Sequence, residues 1–277
     1  MFVILSWNAE DYLEDCLRSI LALSSVCPVI YIADNGSSDG TKEILRSFEE
    51  SERGRIFVTY LEENRGTTYP RNLLLRQVPE DSEYICVLDS DTVVNDCAIA
   101  RLAGALEADE KTLVAVPRMW DGENVEQLSC KRFPTPFGKL CKAVPFLAEA
   151  GAQKETYSFF PDESTRGNPP VSEDSRCYEV DYGISACWFM KREILDRVGY
   201  LDERYFYAPE DVDYCAAVWK HGFRVVLASG ASIYHLTQRL SHRKLFSRIN
   251  VEHLKGLLYF FRKNREFLRG RRKSERA

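Results

Sequence analysis

The sequence lacks the cysteine pattern of a zinc-binding domain. Its nine cysteines include no C-x-x-C pair, which argues against a metal site built from paired thiols. The count is odd and several cysteines lie inside apolar runs, a pattern typical of reduced, buried thiols in a cytosolic protein.

Long apolar runs are also missing. No stretch approaches the length needed to cross a bilayer. Met1–Leu5 leads directly into Ser6-Trp7-Asn8 without the pattern of a signal peptide. We therefore expect a cytoplasmic protein. The composition is 45% hydrophobic and 29% charged, and the 277 residues suffice for one large globular domain or a domain with an elaboration.

The charge is unevenly distributed along the chain. The segment Arg239–Ala277 holds 13 basic and 3 acidic residues, whereas the rest holds 24 basic and 39 acidic residues, for a net charge of −5. A basic tail on an acidic body indicates an anionic partner, such as a membrane surface or a nucleic acid. The alternative is a solvated terminal helix with a frayed end.

The first half of the chain alternates strand and helix patterns. Amphipathic helices are predicted from Tyr12, after a cap at Ser38 or Asp39, and near Tyr69–Gln77. Buried strands are predicted at Phe2–Leu5, Val29–Ala33, Ile56–Leu61, Tyr84–Leu88 and Leu113–Val116. This alternation predicts an α/β fold with a mostly parallel, Rossmann-like sheet and flanking helices.

The second half has a different pattern. The stretch 158–176 is polar and rich in turn residues, which indicates a mobile loop that acts as a lid or binds an acceptor. A helix is predicted at Asp211–Lys220, a short strand at Val225–Ala228, a strand-like segment at Ala231–Tyr234, and a C-terminal helix between Leu245 and Phe261.

The run Asp89-Ser90-Asp91 follows a buried strand and places two carboxylates where that strand ends. Open α/β sheets bind ligands at this carboxyl edge. Carboxylate oxygens suit Mg²⁺ or Mn²⁺, which in turn hold phosphate oxygens. An ordinary turn is the alternative, since Asp and Ser are common turn residues.

Other polar residues are predicted to share this edge. Asp34 ends the second strand, and Asn64-Arg65-Gly66 follows the third, with Arg71 in the helix behind it. These residues offer an acceptor, backbone amides and a cation to a nucleotide diphosphate. An Asx turn and a surface arginine are the alternatives.

Two further candidates lie late in the chain. Glu210 and Asp211 open a helix after an aromatic segment, where one carboxylate with a raised pKa would act as a general base; helix capping is the alternative. His235, one of four histidines, would complete a site begun by the aspartates, although a lone histidine is more often structural.

Taken in order, these segments resemble the family 2 glycosyltransferases, inverting enzymes with the A-type nucleotide-sugar fold. The similarity runs from Val3 to about His235 and is carried by S-W-N at 6–8, D-N-G-S-S-D-G-T at 34–41, E-N-R-G-T-T-Y-P-R-N at 63–72, L-D-S-D at 88–91, V-G-Y-L-D-E-R-Y-F at 198–206, E-D-V-D-Y-C at 210–215, and H-G-F-R-V at 221–225. The R-F-P-T run at 132–135 and the sequence around Val180–Lys191 are most similar to the bacterial rhamnosyltransferase-like branch.

The resemblance implies a role for each matching residue. Asp211 would be the base that deprotonates the acceptor hydroxyl, oriented by Glu210. Asp91 and His235 would hold Mn²⁺ or Mg²⁺, and Asp34 would bind the donor's base. The remaining donor-binding residues would be Ser6, Trp7, Asn8, Asn64, Gly66, Arg71, Asp89 and Ser90, and Trp188 would contact the acceptor.

The resemblance also implies an organisation and a set of partners. Residues 1–238 would form the catalytic domain, with a nucleotide-sugar-binding half (1–118) and an acceptor-binding half (119–238), followed by a basic amphipathic tail (239–277). The partners would be a UDP- or dTDP-linked sugar and a saccharide or lipid-linked saccharide acceptor used in cell-surface polysaccharide or glycolipid synthesis, with no nucleic acid. The tail would contact the inner face of the membrane, a second subunit or the catalytic domain.

Two other functions remain open. A nucleotidyltransferase making sugar nucleotides would also use aspartates on a nucleotide-binding sheet, but Val3–Tyr12 lacks the glycine and basic residues of a triphosphate loop. A catalytically inactive binding module would lack a base or a metal ligand, yet Asp91, Asp211 and His235 are all present. Ser185-Ala186 departs from the Gly-Ala that the rhamnosyltransferase-like branch often has, which puts the identity of the acceptor in doubt.

Overall fold

The computed structural model describes residues 1–143, 156–157, 176–236 and 248–268. The sheet begins with four parallel strands, which are β1 (Phe2–Ser6), β2 (Ile30–Asp34), β3 (Ile56–Tyr60) and β4 (Tyr84–Asp89). Their spatial order is β3-β2-β1-β4. The predicted loop at 158–176 falls outside the described residues, apart from Arg176.

Helices connect these strands and cover both faces of the sheet. They are α1 (Leu13–Leu21), α2 (Thr41–Ser51), α3 (Thr68–Leu75) and α4 (Asp96–Glu107). Helix α1 shows why they dock: Leu13, Cys16, Leu17 and Ile20 recur at helical spacing and are all buried. The apolar residues form two core clusters, separated by the sheet.

Most strands of the second half continue the same sheet, namely β5 (Thr92–Val93), β6 (Thr112–Trp120), β7 (Glu126–Gln127), β9 (Cys177–Glu179), β11 (Cys187–Lys191) and β12 (Arg224–His235). The two others, β8 (Cys130–Lys131) and β10 (Tyr182–Gly183), pair with each other in a separate antiparallel sheet. Strand β11 runs antiparallel between β4 and β6, and β12 lies parallel to β6. The predicted α/β class is therefore confirmed, and the sheet is parallel in its first half and mixed in its second.

The remaining helices are α5 (Pro136–Ala143), α6 (Ile194–Arg197), α7 (Glu210–Lys220) and α8 (Arg248–Lys263), followed by a 3₁₀ turn at Arg265–Phe267. Strand β12 runs through both strand-like segments of the sequence, Val225–Ala228 and Ala231–Tyr234. Its register against β6 shifts between Leu227 and Ser232, so an irregularity within residues 228–231 interrupts the pairing and the strand continues to His235.

The C-terminal helix α8 packs on the catalytic part of the chain. Phe260 is 1% exposed within the core, and the ring of Phe267 lies 4.7 Å from the ring of Phe133. Leu254 and Leu258, on the other side of α8, are 58% and 63% exposed. Within the described ranges, no helix combines the length and the apolar character needed to span a bilayer.

Candidate active site

The carboxyl ends of β1, β2 and β4 form the floor of the candidate site. Ser6 pairs with Asp34 across β1 and β2, and Leu5 pairs with Asp89 across β1 and β4. Because β1 lies between the two other strands, the carboxylates of Asp34 and Asp89 flank Ser6 at one edge of the sheet. This is the edge at which open parallel sheets bind their ligands.

Hydrogen bonds join the Ser6–Asn8 segment to the loop after β2. The backbone N–H of Asn8 donates to Ser37 Oγ at 2.9 Å, and Asn8 Oδ1 accepts from the backbone of Ser38 at 2.9 Å. Asn8 has a φ of +49°, a conformation that Asn tolerates better than most residues. The two loops therefore form one wall, with the half-buried Trp7 in it.

Asp34 is a fully buried carboxylate in this wall. Both of its oxygens lie 3.3 Å from the backbone N–H of Ser37, and Oδ2 lies 3.8 Å from Lys42 Nζ. The lysine compensates the buried negative charge. A carboxylate has about four acceptor positions, so Asp34 has capacity to accept from a bound base.

The Asn64–Gly66 loop is fixed to the end of β2 by Asn35. Asn35 Oδ1 accepts from the backbone N–H of Arg65 at 2.8 Å, and its amide donates to Gly66 O at 2.8 Å. Asn64 Oδ1 accepts from the Gly66 N–H at 2.9 Å. These contacts place the loop beside Asp34, as its position after β3 predicts.

The same loop touches the segment that precedes Glu210. Gly66 has a φ of +79°, and a Cβ on it would lie 2.0 Å from Phe206 O. The backbone N–H of Thr67 donates to this oxygen at 2.8 Å, and Thr68 Oγ1 donates to Tyr205 O at 2.5 Å. Glycine at position 66 is thus required for contact between the donor-side loop and the 205–209 segment.

Asp89, Asp91 and His235 form a group that can hold a metal ion. Each offers one ligand atom, and these atoms lie within 4.8 Å of one another. Strand pairing produces the cluster, because His235 of β12 is opposite Thr92 of β5 and its Nε2 lies 3.4 Å from Asp91 Oδ1. Two carboxylates and an imidazole are a suitable ligand set for Mn²⁺ or Mg²⁺. Ser90, between the aspartates, is buried.

Gln127 orients the imidazole of His235. The Nδ1 atom of His235 lies 2.8 Å from Gln127 Oε1, while the Gln127 amide donates to His235 O at 2.8 Å. A hydrogen bond at one ring nitrogen fixes the orientation of the imidazole, so that the other ring nitrogen is directed toward a metal, as in many metal sites. Sequence reasoning missed Gln127, since nothing local to β7 indicates that it pairs with residue 235.

The charges of this cluster are coupled. Burial raises the pKa of the Asp89 carboxyl, Arg71 opposes that effect, and the nearby Asp91 adds to it. For His235, burial acts to lower the pKa, but the hydrogen bond and charge of Asp91 outweigh it and raise the pKa. A divalent cation would favour deprotonated carboxylates and a neutral imidazole.

Arg71 connects the metal cluster with the start of α7. Its guanidinium donates to Asp89 Oδ1 at 2.6 Å, to Glu210 Oε1 at 3.1 Å and to Ser185 Oγ at 3.0 Å. The side chain is 1% exposed. Arg71 therefore orients two carboxylates from behind, an arrangement that differs from the predicted direct contact with the diphosphate. Burial acts to lower its pKa, but Asp89 and Glu210 outweigh this and raise it.

Asp211 has the electrostatics of a general base. Burial and the negative charge of Glu210 raise the pKa of the Asp211 carboxyl to about 7. Its Oδ1 accepts from the backbone N–H of Val212 at 2.8 Å. Glu210, in contrast, is held by Arg71, so the two adjacent carboxylates have different environments. A carboxyl that titrates near neutral pH can accept a proton from a hydroxyl.

Trp188 requires a correction. Its side chain is fully buried in β11, its Nε1 donates to Gly183 O at 2.9 Å, and its ring stacks on Tyr214 at 5.4 Å. It has no exposed surface for the predicted contact with an acceptor and supports the site only through packing. Ser185 was noted above only because it departs from the Gly-Ala of the rhamnosyltransferase-like branch. It does lie in the site, with its hydroxyl between Arg71 and Glu210.

Comparison of the sequence with protein-family models gives a match over more than half of the chain. The model described as glycosyl transferase family 2 matches residues 1–199. A protein of Bacillus subtilis described as a teichuronic acid biosynthesis glycosyltransferase, TuaG, is 42% identical over 86 residues, which make up 31% of this chain and 33% of TuaG. The matched part thus spans a third of that relative.

Solved structures share the fold at low sequence identity. The structure of GalNAc-T7 with UDP, GalNAc and Mn²⁺ aligns with a TM-score of 0.70 and 13% identity over 96% of this chain and 50% of that protein. A mannosyltransferase from Pyrobaculum calidifontis, in complex with GDP-Man and Mn²⁺, aligns with a TM-score of 0.61 and 17% identity over 96% of this chain and 63% of that protein. These alignments show the fold alone.

Proposed function

This chain belongs to glycosyl transferase family 2, and on that premise we propose that it transfers a sugar from a nucleoside-diphosphate sugar to an acceptor hydroxyl with inversion. One observation carries the proposal. A cluster suited to a divalent metal, Asp89, Asp91 and His235, is joined through Arg71 to the carboxyl pair Glu210 and Asp211 at one sheet edge.

The metal cluster would serve the leaving group. Asp91 and His235 would hold Mn²⁺ or Mg²⁺, and Asp89, which pairs with Arg71, would lie near the donor's sugar or ribose. When bound, the cation supplies Lewis-acid neutralisation of the diphosphate's negative charge. The Mn²⁺ in the two structural neighbours supports this role.

The donor nucleotide would lie along the wall of the sheet edge. Asp34 would accept from the base, with Ser6, Trp7 and Asn8 beside it, and the backbone of Asn64 and Gly66 would line the diphosphate side. The support is geometric, since Asp34, Asn35 and the 64–66 loop form one hydrogen-bonded unit. A UDP- or dTDP-linked donor remains our proposal, while the neighbours hold UDP or GDP-Man.

Asp211 would remove the proton from the acceptor hydroxyl during transfer. Glu210 pairs with Arg71, and burial together with the negative charge of Glu210 raises the pKa of Asp211 to about 7, which allows it to accept a proton near neutral pH. A single-displacement reaction needs one such base and no covalent intermediate, unlike the double displacement of a retaining glycosidase.

The acceptor would be a saccharide or a lipid-linked saccharide of the bacterial cell surface. The description of TuaG supports this class. A rhamnosyltransferase-like specificity rests on the sequence resemblance alone. The exposed Leu254 and Leu258 on α8 support a contact of the C-terminal helix with a lipid surface or a second copy of the chain.

The two alternative functions have less support. The connection between β1 and α1 contains no glycine or basic residue, so it offers no cradle for the triphosphate that a nucleotidyltransferase binds. A catalytically inactive module would be expected to lose a metal ligand or the base. Instead, the chain keeps the whole cluster and a carboxyl with a pKa of about 7.

A donor screen with one matched variant tests the proposal. Purified protein is incubated with UDP-, dTDP- and GDP-sugars and Mn²⁺ or Mg²⁺, and release of the nucleoside diphosphate is measured with and without saccharide acceptors. We expect metal-dependent release with one donor. Asp211→Asn should lower transfer by about a thousandfold or more while nucleotide binding is kept. No binding and no turnover with any donor, or near-normal transfer by Asp211→Asn, would contradict the proposal.

A further inference from the structure

We propose that the C-terminal helix α8, together with Asn264, is a strap that fixes the base-bearing start of α7, and that Asp213, Lys263 and Asn264 are its positioning residues. The inference rests on the proposed function of Asp211 and extends it to the C-terminal helix, which, like Asp211, lies beyond the matched residues 1–199.

The segment leading to Glu210 is held between two surfaces. On the donor side, the backbone oxygens of Tyr205 and Phe206 accept hydrogen bonds from Thr68 and Thr67. On the opposite side, the ring of Tyr205 packs against the ring of Tyr259 of α8 at 5.2 Å. The position of Glu210 and Asp211 therefore depends on α8 as well as on the donor loop.

Helix α8 approaches this segment at van der Waals distance. A Cβ on Gly256 would lie 2.8 Å from Ala208 O and 2.9 Å from Pro209 Cδ. Both contacts are with the residues immediately before Glu210, and one of them is with the backbone, which cannot move aside as a long side chain does. Any side chain at position 256 would push α8 and this segment apart.

A polar anchor holds α8 in this place. The buried Asp213 accepts from Lys263 Nζ at 2.6 Å, from the Asn264 amide at 2.8 Å and from the Tyr205 hydroxyl at 3.1 Å. Lys263 also donates to Asp202 at 2.8 Å. Each group is thus hydrogen-bonded, which the buried carboxylate of Asp213 requires.

The anchor explains why the run E-D-V-D carries three carboxylates. Positions 211 and 213 are two residues apart on a helix and therefore point to different sides. Asp211 faces the candidate site, whereas Asp213 faces the strap. The sequence pattern alone does not distinguish the two aspartates, and the structure separates them by their partners.

The strap also reaches the site through His253. This residue precedes Gly256 by three positions and so shares its face of α8. Burial lowers the pKa of His253 and the charge of Lys139 adds to that effect, whereas Glu210 opposes it. The influence of Glu210 indicates that His253 lies within electrostatic range of this carboxylate.

The test compares Lys263→Met with Lys255→Met in the full chain. Lys255 lies on the same helix but pairs only with Glu252 one turn away, on the exposed surface, so its substitution controls for the loss of a charge. Hydrogen exchange of residues 202–213, the kcat of transfer and the binding of nucleoside diphosphate with Mn²⁺ are measured. Lys263→Arg, which keeps the charge, is the rescue variant.

For Lys263→Met we expect faster exchange in residues 202–213 and a kcat lowered by about tenfold to a hundredfold, because small displacements of catalytic groups cost that much. Nucleotide affinity should stay near the wild-type value, Lys263→Arg should recover most of the rate, and Lys255→Met should behave like wild type.

Unchanged exchange in Lys263→Met would overturn the inference, as would faster exchange with an unchanged kcat. Loss of nucleotide binding in parallel with kcat would also overturn it, because it would indicate general loosening of the fold. If the wild-type protein transfers no sugar, the proposed function fails. In that case the exchange measurement alone tests whether α8 holds residues 202–213. The proposed positioning role is then rejected together with the proposed function.

Discussion

Three aspartates of similar sequence context differ in their immediate neighbours. Asp34 is compensated by Lys42, Asp89 by Arg71, and Asp211 stands next to a second carboxylate. The residue types and the shared sheet edge follow from the sequence, because strand ends are readable from it. Partners such as Ser185 for Arg71 and Gln127 for His235 are 114 and 108 positions away, and no local pattern encodes such contacts.

The environment of Asp211 predicts the pH dependence of transfer. The carboxyl must be deprotonated to accept a proton, and its pKa is raised to about 7. We expect kcat/KM to rise about tenfold per pH unit below this value and to level off above it. The measurement is a pH profile at constant ionic strength and saturating Mn²⁺.

Glu210→Gln is the control for this assignment. Removing the neighbouring negative charge eliminates the second cause of the raised pKa and leaves burial, so the acidic limb should move to lower pH without disappearing. If the acidic limb of the pH profile stays in place in Glu210→Gln, or persists in Asp211→Asn, the titrating group is not Asp211.

At the level of elements, strand positions were predictable and strand directions were not. The predicted strand Tyr84–Leu88 differs from the observed β4 by a single residue. The antiparallel direction of β11 and the continuity of β12 do not follow from the sequence, because burial patterns do not reveal direction and Ser229-Gly230 resembles a strand end. Strand β12 brings His235 to the site, and Ser185 lies just before β11, so this topology completes the site.

Gly66 provides a test of the contact between the donor loop and the 205–209 segment. Alanine at this position would have a strained φ of +79° and a Cβ 2.0 Å from Phe206 O. We expect Gly66→Ala to lower the free energy of unfolding by about 2–4 kcal/mol and to reduce kcat/KM. Urea unfolding and steady-state kinetics measure the two effects.

Gly54→Ala is the matched control. Its φ is +83°, yet nothing lies within 4 Å of the added Cβ. It should therefore show only the strain of a positive φ, about 1 kcal/mol, with normal kinetics. Equal effects of the two substitutions would mean that the contact with Phe206 contributes nothing.

At the scale of the whole molecule, the two proposed halves and the C-terminal helix of the proposed tail pack against one another. Strands from 1–118 and 119–238 belong to one sheet, and β6 crosses the boundary between them. The sequence leaves open whether the basic tail contacts a membrane, a second subunit or the catalytic domain. The sequence shows that Lys263 is a basic residue, but only the structure shows that it forms ion pairs with Asp202 and Asp213.

This integration predicts how the C-terminal helix affects stability. Phe260 is 1% exposed in the same core as Tyr205 and Val212. Phe260→Ala should lower the free energy of unfolding by about 3–5 kcal/mol, in a single urea transition reported alike by far-ultraviolet dichroism and tryptophan fluorescence. Leu258→Ala, at a 63% exposed position, should change it by about 0.5 kcal/mol or less. A separate early transition in the Phe260 variant would show that α8 unfolds on its own.

The contact between Lys263 and Asp213 has a consequence for the order in which the protein matures. Translation produces the sheet edge, the metal cluster and the aspartates of α7 before it produces residues 263 and 264. A nascent chain that has reached Leu236 therefore has every charged group of the candidate site but not the ion pair and amide that hold α7 from behind. Transfer competence should arrive with α8, so a ribosome-bound intermediate would bind its nucleotide before it could use it.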